Sequence, residues 1–416
     1  MKYISTRGKA PKLAFDDVLL AGLARDGGLY LPETWPSFSK ADIAAMKDLP
    51  YTEVAVKVMA PFVEGAVSVD ELRKIVTDTY GVFDGEDPAP LVKLGENEYV
   101  LELFHGPTLA FKDYALQFLG RMFDHVLAKR GASLTIAGAT SGDTGSAAIE
   151  ACRDRDSIEI FILHPEGRVS EVQRRQMTTV LSDNVHNIAL KGNFDDCQNT
   201  VKALFADEPF RDAVHLSAVN SINWARIMAQ VVYYFWAAVK LGAPNTPVSF
   251  AVPTGNFGNV FAGYVAKQMG LDINQFVVGS NANDILIRFI ESGRMESRGV
   301  VETTSPSMDI QISSNFERFM FELLDRDADA LNGLMDEFKA TGKFTVSDAF
   351  MARLKAMVDG ERLDDAATAQ MIGDVHKASG CLLDPHSALA SAAARARRWG
   401  EKVPRVARAA APPPHC

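Results

Sequence analysis

Lys112 lies in the stretch HGPTLAFKDYALQFLG, between Phe111 and Asp113, where a Gly-Pro-Thr turn gives way to an apolar-periodic run. A lysine held in an apolar site loses proton affinity, and its neutral amine can form a Schiff base with an aldehyde. Most lysines are solvated surface residues, so it is the setting of Lys112 that singles it out. Two glycine-rich loops, TSGDTGSAA (140–148) and PTGNFGN (253–259), each follow an apolar run and precede a helical one. Unpaired N–H groups and the helix dipole make such a junction a cradle for phosphate. Neither loop fits GxGxxG or GxxxxGK[ST], and each alone reads as readily as an ordinary turn. A buried lysine with a separate phosphate cradle is what pyridoxal phosphate needs, and that cofactor is an electron sink for carbanions.

A second set of donors could hold another anion. NSINWARI (220–227) offers Ser221, Asn223 and Arg226 at a helix start, suited to a phosphate or carboxylate. SSNFER (313–318) offers Ser314, Asn315 and Arg318 with the same chemistry. For both, the competing reading is a helix cap with an exposed arginine. His105 and His386 stand singly in turns without metal-ligand neighbours and read as structural. Cys152, Cys197, Cys381 and Cys416 have no close spacing, which suits a reducing compartment and gives no zinc pattern.

The elements that must position these groups alternate. YALQFLGRMFDHVLAKRG has Ala115, Leu119, Met122 and Val126 on one face and Gly131 as a cap. LTIAGAT, IEIFILHP, VHNIALKG and VSFAVP read as apolar strands, each followed by a turn or helical segment. That order implies an α/β fold with parallel sheets and a ligand at the carboxyl ends of the strands. Residues 1–90 read as mixed helix and loop, with GEDPAP (85–90) as a boundary, and 325–370 read as charged helices. The end, RVARAAAPPPHC, lacks apolar period and carries three consecutive prolines, so a frayed tail is expected over 401–416.

With 416 residues there is room for two or three domains. A net charge of −10 argues against a nucleic-acid surface. The first residues lack the apolar core of a signal peptide. The most apolar run, IMAQVVYYFWAAV, is too short to span a bilayer. A cytoplasmic chain without membrane partners is expected.

Taken in order, STRG (5–8), LARDGGLYLPE (23–33), HGPTLAFKD, ATSGDTGSAA, QRRQMTT (173–179), NSINWAR, VPTGNFGN, SSNFER and LDPHSA resemble the threonine synthase family from residue 1 to about residue 400. Cysteine synthase and threonine dehydratase resemble the chain only at the lysine and the glycine loops. The resemblance implies two parallel-sheet α/β domains of the tryptophan-synthase-beta-like fold over 91–400, with the cofactor between them, and a small mixed helical region over 1–90. It implies conversion of O-phospho-L-homoserine and water into L-threonine and phosphate by a monomer or homodimer. Lys112 would bond the cofactor. Gly255, Asn256, Phe257, Gly258 and Asn259 would hold its phosphate. Asp143 would lie near its ring, where many relatives of the fold have asparagine. Ser141, Thr144, Ser221, Asn223, Arg226, Ser314, Asn315 and Arg318 would bind substrate. Members usually continue into a strand and a segment like T-x-H-P-x-K-F, whose threonine is expected near the pyridine nitrogen. The end seen here instead fits a diverged or frame-shifted terminus, and with it a non-catalytic or impaired cofactor-binding protein as the alternative function.

Overall fold

Apolar runs that alternate with amphipathic ones fold into two mostly parallel sheets in this computed structural model, which describes residues 1–219, 221–396 and 403–412. Asn220 of the NSINWAR stretch, Pro413, Pro414 and Cys416 lie outside the described residues. The larger sheet runs, edge to edge, through Val358–Arg362, Ile273–Ser280, Val248–Pro253, Arg405–Ala409, Glu98–Glu102 and Leu91–Lys93. All neighbours are parallel except the final pair. The smaller sheet, in the order Val185–Leu190, Ile158–Pro165, Leu134–Ala139 and Leu216–Ser217, is parallel throughout. VSFAVP is buried at every position, as expected for a strand covered on both faces.

The tail corrects the expectation of a frayed end. Arg405–Ala409 is a central strand, inserted between Val248–Pro253 and Glu98–Glu102 and parallel to both. Three physical facts make this possible. Pro404 precedes the strand and the consecutive prolines begin at Pro412, so none removes a donor from within it. Ala407 and Ala409 pack with Ala390, Ala393 and Ala394 of the helix Pro385–Ala396, where small side chains allow close approach. Arg405 N donates to Asn97 O at 2.8 Å, and Ser249 N donates to Pro404 O at 3.0 Å. The ladder is made by the backbone, so poor side-chain periodicity did not prevent it.

Residues 325–370 also differ from the expected run of charged helices. VDGER, as Val358–Arg362, is an edge strand of the larger sheet.

Two long helices carry the candidate groups. Lys112–Arg130 ends on Gly131 in the left-handed region (φ 59), with Lys129 and Arg130 in its last turn. Trp224–Lys240 is buried along nearly its whole length. The N-terminal region packs directly on them. Its strands Tyr3–Ser5 and Tyr30–Pro32 pair antiparallel. Phe62 meets Trp224 at 5.5 Å, and Tyr51 meets Tyr114 at 6.4 Å. Such aromatic contacts are each worth about 0.5–1.5 kcal/mol beyond area burial. Among the described residues no helix is long and apolar enough to cross a membrane.

Candidate active site

The turn before Lys112 is fixed by the residue after it. Asp113, fully buried, accepts from Thr108 N at 2.9 Å and from Thr108 Oγ1 at 2.7 Å. A Cβ on Gly106 would lie 2.4 Å from that of Asp113, so the turn needs glycine there. Leu109 takes a positive φ of 58°, a strained backbone of the kind that gathers at functional sites. Burial pushes the Asp113 carboxyl up to about 6, against the hydrogen bonds from Thr108 and Ala110. This scaffold leaves Lys112 at the first position of its helix.

Lys112 Nζ meets Asp143 Oδ2 at 2.5 Å, with 11% and 20% of the two side chains exposed. Asp143 opens the helix Asp143–Cys152, and Ser307 Oγ donates to the same Oδ2 at 2.8 Å. Burial holds Lys112 below the usual lysine range; Asp143 pulls it back up, while Arg226 and Arg408 add to the lowering. Burial also works to raise Asp143, but Lys112, Ser307 and His386 outweigh it and bring the carboxyl down to about 2. The pair is therefore an ionised carboxylate beside an amine that gives up its proton more readily than a surface lysine.

The loop before Asp143 is tied by Thr140, whose Oγ1 accepts from Gly142 N at 3.0 Å and Gly145 N at 2.8 Å. Gly142 has φ 148, and a Cβ there would strike Gln173 Oε1 at 1.9 Å. Gln176 Nε2 donates to Thr108 O at 3.1 Å, which joins QRRQMTT to the lysine turn. Ser141 is exposed and Thr144 half-buried, both on this loop.

On the other side, Phe257 (φ 60) caps the helix Gly258–Gln268 and turns the second glycine loop. Ser313 Oγ donates to Gly255 O at 2.7 Å, and Ser314 Oγ donates to Asn256 Oδ1 at 3.2 Å. Asn315 N donates to Asn256 O at 3.0 Å. A Cβ on Gly255 would approach Ser307 O at 3.3 Å, so the loop and the Ser307 turn are in near contact. Asn259 points away, into a set made by Gln230, Tyr233 and Tyr234.

The structure separates the expected anion-binding residues. Arg226 is buried beside the Lys112–Asp143 pair; Nη1 reaches Val219 O at 3.4 Å, and Nε has no partner among the described residues. Burial lowers it to about 10, against Asp143 and Tyr233. Arg318 is different. Its Nε and Nη2 donate to Tyr30 O at 3.0 and 2.7 Å, Nη2 also to Ile222 O at 2.6 Å, and Nη1 to Asn315 Oδ1. Asn223 caps its helix through Ala225 N at 3.0 Å and donates to Leu19 O at 2.9 Å. Asn315 Nδ2 donates to Ser221 O at 3.0 Å. The donors of Arg318, Asn223 and Asn315, expected to hold a substrate phosphate, are met by the protein's own carbonyls and amides in this structure. Ser221 is half-buried beside them.

Sequence reasoning missed Ser307 and underrated His386. SPSMDI has no recognisable spacing, so only the fold brings Ser307 to Asp143. Asp384 Oδ1 accepts from His386 N at 2.9 Å and pairs with Nδ1 at 3.0 Å, while Nε2 is buried without a partner among the described residues. His105 pairs with Glu102 at 2.9 Å. Ser387 Oγ accepts from Ala410 N at 3.0 Å, and Phe111 N donates to Ala410 O at 3.0 Å, so the last strand is stitched to the lysine turn.

A family model described as "Threonine synthase N terminus" matches residues 2–80, and one described as "Pyridoxal-phosphate dependent enzyme" matches residues 82–337. The threonine synthase of Pseudomonas aeruginosa is 57% identical over 406 residues, covering 98% of this chain and 87% of that protein. The chain belongs to the threonine synthase family. That of Methylobacillus glycogenes is 46% identical, covering 93% and 85% of the two chains. In structure, the pyridoxal-phosphate-bound threonine synthase of Brucella melitensis matches with a TM-score of 0.97 at 56% identity, over 99% of this chain and 89% of that one. The yeast threonine synthase matches with a TM-score of 0.94 at 37% identity, over 99% and 87%. The fold is thus the α/β fold of the pyridoxal-phosphate enzymes, and the cofactor of this family member is pyridoxal phosphate.

The residues present fit that group. Lys112 is a buried lysine with weakened proton affinity, the kind of amine that could bond the cofactor's aldehyde. The loop at Gly255–Gly258 opens a helix and offers backbone N–H groups to a phosphate. An unpartnered arginine nitrogen lies beside the pair for a second anion.

Proposed function

We propose that the chain is a working threonine synthase that converts O-phospho-L-homoserine and water into L-threonine and phosphate, with Lys112 as its base. The observation that carries this reading is the Lys112–Asp143 contact at 2.5 Å, enclosed beside an arginine with an uncommitted nitrogen. When bound, pyridoxal phosphate supplies the electron sink for negative charge at the substrate Cα. Backbone N–H groups of Gly255, Asn256, Phe257 and Gly258 would hold its phosphate, and the Lys112 amine would hold its aldehyde carbon until substrate arrives. Once the substrate's own amine has taken its place at that carbon, the freed Lys112 Nζ would remove the Cα proton and the Cβ proton as phosphate leaves from Cγ; protons then return to Cγ and Cα, and water supplies the hydroxyl at Cβ. Asp143, ionised, receives the positive charge each time Lys112 is protonated, and Ser307 keeps its carboxylate aimed. Arg226 offers Nε to the departing phosphate. Ser141 and Thr144 stand on the open loop where the substrate's amino-acid end would be held.

The placement of the last strand in the sheet supports an active enzyme over the non-catalytic alternative, since it braces the lysine turn through Ala410. The net charge of −10 supports a small-molecule substrate over nucleic-acid partners, and a cytoplasmic monomer or homodimer remains part of this reading. The test is phosphate release from O-phospho-L-homoserine with pyridoxal phosphate added and threonine measured in the same tube. Equal yields are expected. Cofactor binding with no phosphate released would return the non-catalytic reading.

A further inference from the structure

Arg408 has no place in the mechanism above, yet it touches both halves of the cofactor machinery. It sits in the last strand on the face opposite Ala407 and Ala409, with 4% of its surface exposed. Its guanidinium carbon lies 3.8 Å from the centroid of the Phe111 ring and 5.8 Å from that of Tyr233. Phe111 immediately precedes Lys112, whose Nζ lies 5.6 Å from the same ring. In the amide orientation that satisfies its neighbours, Asn259 accepts from Arg408 Nη1 at 3.1 Å and from Nε at 3.3 Å. Asn259 ends the glycine loop that faces the cofactor phosphate. Nη2 is buried without a hydrogen-bond partner among the described residues.

A guanidinium remains charged even when buried, because its intrinsic proton affinity is so high. A cation fixed on the neighbouring residue's ring therefore acts on Lys112 at every working pH. The other charges are placed as follows. Asp143 and Arg226 act on Lys112 from the helices Asp143–Cys152 and Trp224–Lys240, and His386 acts on Asp143 from the start of Pro385–Ala396. Tyr114, Tyr233, Tyr234 and Asp384 act on Arg408. The Asp384 carboxylate is itself engaged by His386 and Ser387. Asp143 is thus the one close carboxylate acting on Lys112 among the described groups, against two buried arginines.

We propose that Arg408 is a positioning residue for Lys112: stacked on Phe111 and anchored on Asn259, its fixed charge holds the lysine turn against the glycine loop and disfavours a second positive charge on the lysine nitrogen. This rests on Lys112 being the residue that bonds the cofactor. Burial is the larger reason Lys112 gives up its proton readily, and Arg408 adds to it.

The test uses the holoenzyme and its visible absorption band, whose position reports whether the nitrogen joining Lys112 to the cofactor is protonated. Wild type, Arg408→Leu and Arg408→Lys are titrated with pH. Arg408→Leu should move the midpoint up by about one pH unit, while Arg408→Lys should stay near wild type. Melting temperature separates this from damage. Arg408→Leu also removes the stacking on Phe111 and the donors to Asn259, so a modest fall in melting temperature is expected, and the midpoint is read in the folded, cofactor-loaded protein below that temperature. Should Arg408→Leu not fold, Arg408→Met is titrated in its place, with the same shift expected. An unchanged midpoint in a folded, cofactor-loaded variant overturns the inference alone. A band that persists in Lys112→Ala overturns it together with the reading on which it rests.

Discussion

Arg226 and Arg318 are both buried, and both are pushed below the usual arginine range by burial. Sequence spacing treats them alike. Their donors do not. Every nitrogen of Arg318 donates to Tyr30 O, Ile222 O or Asn315, which ties the N-terminal strand to the helix entries around the site. Arg226 makes one long contact to Val219 O and leaves Nε unpartnered among the described residues, beside Lys112 and Asp143. Residue type and burial therefore do not separate an arginine whose donors are filled from one proposed to bind a ligand. The separation lies in which hydrogen-bonding capacity the fold has already filled, because a buried unfilled donor costs about 1–3 kcal/mol and persists only with a use or a compensation.

The same contrast orders the mutations. Lys112→Ala removes the proposed base, and turnover should fall by about 10^4-fold in an otherwise folded chain, read as phosphate release. Arg318→Gln opens a buried network, so it should destabilise the chain by roughly 3–5 kcal/mol in denaturant unfolding. Asp143→Asn keeps the shape but removes the charge that balances Lys112. Its kcat should drop about 100-fold with little change in melting temperature; a variant that loses fold instead of rate would place Asp143 among the struts.

The smallest effect is in pH. Asp113 titrates at about 6 in the folded chain, above the ordinary carboxylate range. The folded state thus binds the extra proton, and stability should decline by about 2 kcal/mol as pH rises from about 4 through 6. Asp113→Asn should flatten that segment of the stability curve. Asp143 acts in a separate window. Its lowered value stabilises the fold above the ordinary carboxylate range, and this is lost as pH falls toward about 2.

Much of the fold was legible because apolar strands and helix stops are local signals. LTIAGAT, IEIFILHP and VSFAVP became Leu134–Ala139, Ile158–Pro165 and Val248–Pro253. VDGER and RVARA were not, since both take their place by backbone pairing at positions where charged or small side chains are tolerated by the neighbours. At the site, Lys112 stood out through its turn and the apolar run behind it, and the loop glycines through their spacing. Ser307 left no local trace, because its contact with Asp143 spans the chain; the Asp384–His386 pair is local, and LDPHSA entered only as part of the resemblance. The partner of Arg318 was equally invisible: the carbonyl of Tyr30 that it meets is 288 residues away.

The most direct measurement is kcat/KM for O-phospho-L-homoserine in Arg226→Gln beside Arg318→Gln, each expressed per folded, cofactor-loaded chain and each paired with a melting curve. Arg226→Gln should lose about 10–100-fold and melt near wild type, while Arg318→Gln should keep its rate within a few-fold and melt well below it. The reverse, a silent Arg226 and a rate loss confined to Arg318 at unchanged stability, would contradict the assignment of the two arginines and the rule that separates them.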